Sequence, residues 1–258
     1  MGVHSRLDMA TRRTRIWANI TMCRKRIKIS HLAALTMLVF CLLELYRTLT
    51  PARVKMTFAG SEYGGWWYNA AILGHDSVIY SFGLGEDTSW DEAILQQGMD
   101  VYGFDPTPKS IAYVKSRDEL RQQAGTFYFT AEGLSDKSGT LTFTMPLDST
   151  HVSLEQGVHE GRGALLQLKV ETLYNIMERN GHSHIDLLKL DIESSEYEVL
   201  ENLLSKRYLP FTQLLVEFHQ RFEAIGIARH ETLLKALKDS GFRVTHQEGD
   251  TEISFQRN

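Results

Sequence analysis

Ile185-Asp-Leu-Leu-Lys-Leu-Asp-Ile-Glu193, followed at once by Ser194-Ser-Glu-Tyr-Glu198, is an apolar strand that runs into the start of a helix with charges gathered at the junction. Alternation of side chains along a strand places Lys189, Asp191 and Glu193 on one side, crowded at the strand's carboxyl end. Open α/β sheets bind ligands at that end. Three charges on a core strand cost several kcal/mol each unless they are paired or used, so the run points to a site, with a Lys189–Glu193 ion pair as the structural alternative. Beyond it, Ser195 with Glu198 three residues on reads as a capping box, and Tyr197, Leu200, Leu203 and Leu204 share one helical face.

Outward from this run, short apolar stretches alternate with helical ones. Strands are expected at 77–82, 101–104, 126–131, 165–170 and 213–218, and helices at 88–97, 107–122, 171–179 and 231–240. Ser138-Gly139 reads as a hairpin turn into a strand over 140–144, and 242–245 can pair with 253–255 across Glu248-Gly249-Asp250. Strands alternating with helices predict an α/β domain with a doubly wound, mostly parallel sheet, ending in an antiparallel hairpin. The expected organisation is a basic tail (1–28), an apolar anchor (29–49), a stem (50–59) and one catalytic domain (60–258).

Gly83-Leu84-Gly85 lies between a strand and a helix, where glycines allow a tight turn and close approach of a ligand. Asp105 falls twenty residues beyond Gly85 at the end of the next strand, where an acid can accept from both ribose hydroxyls of a nucleotide cofactor. NAD and S-adenosylmethionine both satisfy that spacing. Glu86 and Asp87 in the turn would repel a pyrophosphate but suit a sulfonium and an amino group. No tyrosine in the chain has a lysine four residues on, as a short-chain dehydrogenase would need.

Tyr80-Ser-Phe-Gly-Leu-Gly-Glu-Asp-Thr-Ser-Trp-Asp91, Val101-Tyr-Gly-Phe-Asp-Pro-Thr-Pro-Lys-Ser110, Gly133-Leu-Ser-Asp-Lys-Ser-Gly139, the Ile185 run and Val216-Glu-Phe-His219 together resemble the FkbM-type methyltransferases over about residues 60–258. The resemblance implies a Rossmann-like class I methyltransferase fold, with which the terminal hairpin agrees, and S-adenosylmethionine as cofactor, usually for O-methylation. It implies that Gly83 and Gly85 line the cofactor, Asp105 holds its ribose and Ser135-Asp136 approaches the adenine. Lys189, Asp191 and Glu193 fall on the family's Lys-x-Asp-x-Glu-Gly signature. Two positions depart from the family. Ser81 replaces the acid before the first glycine, leaving the methionine amino group to Glu86 or another acid, and Ser194 replaces the glycine after the signature glutamate.

Methyl transfer to a hydroxyl benefits from positioning and from a general base. Glu193 and His219 are the candidates, with Asp191 positioning the acceptor or the cofactor amine. Asp191, Glu193, Glu217 and His219 could alternatively hold a divalent cation; their spacing is suggestive without being diagnostic, and no metal is predicted. The expected acceptor is a small molecule, a glycan or a lipid-linked hydroxyl. Tyr63-Gly-Gly-Trp-Trp-Tyr68 reads as packing of the stem or as a lid. An inactive binding protein on the same fold and a nucleotide-dependent oxidoreductase are the competing functions.

Residues 1–50 hold nine Lys or Arg against two acids, Asp8 and Glu44, so the net charge of −4 combines a basic tail with an acidic body. A body that acidic argues against nucleic acid as a partner. Ile29 to Tyr46 is apolar except for Ser30, His31, Thr36 and Glu44, and follows Arg24-Lys-Arg-Ile-Lys28. Eighteen helical residues span about 27 Å, close to a bilayer's hydrocarbon thickness. The positive-inside rule then gives a single-pass type II membrane protein of the endomembrane system, Golgi or ER, with the catalytic body facing a lumen. A mitochondrial presequence is the alternative, with Arg12, Arg13 and Arg15 on one helix. Both cysteines, Cys23 and Cys41, precede the body, which therefore has no disulfide, thiol nucleophile or cysteine-ligated zinc.

Overall fold

Near-continuous burial along the central strands decides the architecture. In the computed structural model, which describes residues 36–41, 54–144, 155–156, 165–221 and 225–257, the chain divides into two units, Met1–Arg53 and Val54–Asn258. Of the first unit only residues 36–41 are described, as exposed helix, so the basic tail and nearly all of the 29–49 anchor lie outside the described residues. No helix among the described residues is long and apolar enough to cross a membrane.

The second unit contains, in chain order, β1 (Thr57–Ala59), β2 (Trp66–Tyr68), β3 (Ile79–Phe82), α1 (Ser89–Gln96), β4 (Val101–Phe104), α2 (Pro108–Ser116), β5 (Phe127–Thr130), β6 (Gly133–Leu134), β7 (Gly139–Thr144) and β8 (Glu155–Gln156). There follow β9 (Leu165–Glu171), α3 (Leu173–Asn180), β10 (Ile185–Leu190), α4 (Ser195–Ser205), β11 (Phe211–Glu217), α5 (Gly226–Asp239), β12 (Phe242–Glu248) and β13 (Glu252–Arg257). Seven strands form one sheet in the order β12-β13-β11-β10-β3-β4-β5. The five from β11 to β5 are parallel, while β13 runs antiparallel to β11 and β12 antiparallel to β13. This is the expected Rossmann-like, doubly wound sheet with its terminal hairpin.

Leu188, Leu190, Leu214, Val216, Tyr80 and Phe82 pack one face against Ile176, Leu200 and Leu233 of α3, α4 and α5. Their neighbours Leu187, Leu215, Ile79 and Val101 pack the other face against Ile94 and Val114 of α1 and α2, together with Trp66 and Tyr68. Apolar residues on both faces are what a strand covered by helices on both sides requires. The β2 segment is tied to this sheet by buried amides: Asn69 N donates to Gln213 Oε1 at 2.8 Å, and Asn69 Nδ2 to Gln256 Oε1 at 2.9 Å.

Three local expectations are corrected. The Ser138-Gly139 turn makes no hairpin with β5. Instead β7 pairs antiparallel with β9, and β6 pairs parallel with β9, in a separate four-stranded sheet. Turn chemistry bends a chain without choosing its long-range partner. The capping box is absent, because the backbone takes left-handed values at Glu193 (φ 51) and Ser194 (φ 80), which makes Ser194 the N-cap and gives it no side-chain capping bond. The same two residues end the strand alternation, so Lys189, Asp191 and Glu193 do not share one strand face; β10 stops at Leu190.

Candidate active site

β3 delivers the chain into a turn whose first residue, Gly83, has φ 79 and faces the backbone that leaves β10. A Cβ at Gly83 would overlap the carbonyl oxygen of Asp191. Gly85 also has a positive φ, 55, but a Cβ there would meet open space. Overpacking and left-handed strain each cost about 1–3 kcal/mol, so Gly83→Ala is expected to lose about 3 kcal/mol or more and Gly85→Ala about 1 kcal/mol. Denaturant midpoints check this; equal midpoints for the two variants would mean that the Asp191 backbone yields freely.

The turn is held from two sides. Asp105, at the end of β4, accepts from Leu84 N at 3.0 Å and Gly85 N at 3.1 Å through Oδ2, and from Thr107 N at 2.8 Å through Oδ1. Behind the turn, the buried Lys189 donates to Gly83 O at 2.8 Å, its ammonium 5.5 Å from the centre of the Trp66 ring. Asp91 of α1, 1% exposed, completes this layer. Burial, opposed in part by the Lys189 charge, pushes its carboxyl up to about 6.

That shift has a sign. The folded chain keeps a proton on Asp91 that the unfolded chain has released between about pH 4 and pH 6. Stability contributed by this group is therefore present below about pH 4 and lost as pH rises through about 6, a swing of about 3 kcal/mol. Relative to Asp91→Asn, the wild-type chain should lose stability across that window and level off above it. Melting temperatures of both proteins from pH 4 to 8 measure this, and parallel profiles would show Asp91 to be ionised throughout.

The second half of the site lies between β10 and β11. Glu196, fully buried in the first turn of α4, accepts through Oε1 from His219 N at 2.8 Å and from Nδ1 at 3.1 Å. That fixes the imidazole so that Nε2 faces Glu193 Oε2 at 3.4 Å, Glu217 Oε1 at 3.8 Å and Asp191 Oδ1 at 3.9 Å. Burial alone would lower the His219 pKa; the hydrogen bond and charge of Glu196, with Glu193 and Asp191, outweigh it and push it up to about 9. The imidazole thus holds its proton at neutral pH, so His219 is not a resting general base. Burial, then the charge of Asp191, pushes Glu217 up to about 7 against the pull of His219.

Both halves open on one cavity of about 680 Å³ at the carboxyl ends of the parallel strands, lined by Gly83, Gly85, Glu86, Asp105, Lys189, Asp191, Glu193 and Glu217. Its apolar side comes from Leu134, Phe143, Leu168 and Val170 of the four-stranded sheet. Tyr63, 89% exposed, stands at the mouth, and the buried Trp66 of β2 lines the cavity's inner wall. The Tyr63 loop is tied down by Ser61, whose Oγ donates to Asp87 Oδ2 at 2.6 Å and accepts from Gly64 N at 2.8 Å. The aromatic run therefore serves both as packing, through Trp66 and Tyr68, and as a rim.

Not every expected residue converges here. Ser135 and Asp136 line a second cavity, of about 430 Å³, with Leu173, Tyr174 and Tyr208, while their neighbours Gly133 and Leu134 reach the first. Glu86 lines the first cavity half-exposed, 3.7 Å from Lys109. Sequence reasoning does not single out Asp91 and Glu196: both lie in polar helix starts, Thr88-Ser-Trp-Asp-Glu92 and Ser194-Ser-Glu-Tyr-Glu198, where an acid reads as an ordinary first-turn charge, and the available signal is a carboxylate on the buried side of each helix.

The family model described as methyltransferase FkbM domain matches residues 77–244. The probable methyltransferase-like protein 24 of Homo sapiens is 28% identical over 182 residues, which cover 67% of this chain and 43% of that protein. The Rattus norvegicus protein of the same description is 28% identical over 178 residues, covering 65% and 42%. The chain thus matches well under half the length of these relatives. Among solved structures, magnesium protoporphyrin IX methyltransferase from Synechocystis PCC 6803 with bound SAM is 15% identical, with 70% of each chain covered and a TM-score of 0.39. That likeness is distant, and the fold stands on its own strand order. With the family model covering more than half of its length, the chain belongs to the FkbM-domain methyltransferases.

Proposed function

We propose that this protein is an S-adenosylmethionine-dependent O-methyltransferase acting on a hydroxyl of a small molecule, a glycan or a lipid-linked sugar. The observation that carries the reading is the single cavity shared by the Gly83–Gly85 turn, pinned by Asp105, and the carboxylates beyond β10. Its chemistry fits the cofactor: Glu86, Asp191, Glu193 and Glu217 surround it with negative charge, which favours a sulfonium and an ammonium and opposes a pyrophosphate. Glycine at 85 leaves the turn open to the cavity.

S-adenosylmethionine supplies an electrophilic methyl group. Asp105 and the turn would hold its nucleoside end, and Glu86 or Asp191 its amino group. Glu193 stands within the cavity to take a proton from the acceptor hydroxyl, and Asp191 orients that hydroxyl. The loop carrying Tyr63 limits water at the mouth. Calorimetric titration of the protein with S-adenosylmethionine and with NAD tests the assignment. Saturable binding of the first alone supports it; binding of NAD alone would replace it with an oxidoreductase, and binding of neither would leave an inactive fold.

The basic lead and apolar run of residues 24–46 further support a type II anchor with the catalytic unit in a Golgi or ER lumen. Protease added to sealed microsomes should spare the catalytic unit, and digestion without detergent would reverse the orientation.

A further inference from the structure

We propose that Asp191, Glu217 and His219 form a binding site for a divalent cation of the Mg²⁺ or Mn²⁺ class at the floor of the cavity. One carboxylate oxygen of each acid and one imidazole nitrogen lie within 4.8 Å of one another. Two ligands about 2.1 Å from a common octahedral ion stand about 3.0 Å apart when cis and about 4.2 Å when trans, so side-chain adjustments of up to about 1 Å complete the set. The donors lie at and just beyond the carboxyl ends of two adjacent parallel strands, β10 and β11, whose register pairs Leu190 with Val216 and so brings Asp191 level with Glu217.

This is more than a group of acids. The imidazole is 1% exposed and presents Nε2 to the carboxylates because Glu196, with no exposure of its own, holds Nδ1 from behind. A carboxylate hydrogen-bonded to the far nitrogen of a histidine is the arrangement that fixes a metal-ligating imidazole and raises its basicity. Glu193 and Glu252 add further negative charge around the same cavity, and the half-exposed Arg221 stands 3.8 Å from Glu193 and 3.9 Å from Glu217. A dication between Asp191 and Glu217 relieves the repulsion among these carboxylates. The ligand set, one nitrogen with carboxylate oxygens, suits Mn²⁺ or Mg²⁺ rather than a thiolate-seeking metal. Open positions toward the cavity would accept an acceptor oxygen; that role rests on the methyltransferase reading above, whereas the site itself does not.

The test is Mn²⁺ binding by the full chain without cofactor, followed by the loss of the free-ion EPR signal, with electron spin-echo modulation of the bound ion. One Mn²⁺ per chain, displaced by excess Mg²⁺ and showing ¹⁴N coupling, is expected. Glu217→Gln should weaken binding at least tenfold, and His219→Gln should abolish the nitrogen coupling. Glu201→Gln, which alters an acidic surface of α4 remote in sequence from the cluster, should change neither. Circular dichroism establishes that each variant is folded, and the wild-type stoichiometry and coupling stand without them. No binding below 1 mM, equal binding by folded Glu217→Gln, or a bound ion without nitrogen coupling would overturn the site. Failure to bind S-adenosylmethionine would instead overturn the methyltransferase reading and leave this one standing.

Discussion

Glu193→Gln is expected to slow methyl transfer by about 10²–10⁴-fold while leaving S-adenosylmethionine affinity nearly unchanged. The left-handed backbone at Glu193 and Ser194 turns the chain off the β10 direction and sets the carboxylate in the cavity wall, 3.4 Å from His219 Nε2. A residue held in that conformation costs about 1–3 kcal/mol, which the packing of α4 beyond it sustains. The amide keeps the shape and removes the group able to take a proton. His219 cannot substitute, because in the metal-free protein its own proton is retained at neutral pH and in the loaded site its Nε2 holds the cation. Transfer of labelled methyl groups to a pool of hydroxyl-bearing acceptors gives the rate, and calorimetry gives the affinity. Added Mn²⁺ should not rescue the variant, since Asp191, Glu217 and His219 are intact in it. Full activity would reduce Glu193 to a neighbour of the imidazole and leave proximity alone to account for the rate.

The sheet was legible in the sequence because both of its signals are local. Leu187 and Leu188 face opposite helical layers, so an unbroken apolar run announces a strand covered on both sides, and Gly83 and Asp105 mark the ends of two such strands. The hairpin of β12 and β13 was readable for the same reason, being closed by a short turn at Gly249. What escaped was non-local. Nothing near Ser138 tells β7 to seek β9, whose pairing spans about thirty residues, and that pairing builds the cavity's apolar side. The site divides along the same line. Asp191, Glu193 and His219 stood out as charges at strand ends, but the roles of Lys189 and His219 depend on Asp91 and Glu196, carboxylates that only tertiary packing brings alongside them. Lys189 borders the cavity, but the strand's alternation aims its ammonium at the α1 layer, where Trp66 and Gly83 O receive it.

Asp105→Ala is expected to weaken S-adenosylmethionine binding by about 10²-fold and to lower the stability of the free protein by about 2 kcal/mol. Spacing alone gave this carboxylate one task, accepting from the cofactor's ribose. The structure gives it a second: three backbone N–H groups, of Leu84, Gly85 and Thr107, end on its two oxygens, so it shapes the glycine turn and starts α2. A hydrogen bond to a charged acceptor contributes about 1.5–3 kcal/mol, and because Leu84, Gly85 and Thr107 all line the open cavity, water takes up much of what alanine removes, leaving a net loss of about 2 kcal/mol. Affinity therefore falls through the ribose contact and through the loosened turn together. Asp105→Asn separates the two, since its remaining carbonyl oxygen can keep the donors of one side while the negative charge is gone. An Asn variant with normal melting but weakened cofactor binding places the carboxylate on the ribose. Normal binding in a destabilised Ala variant would confine Asp105 to the turn and move the ribose contact to another wall of the cavity.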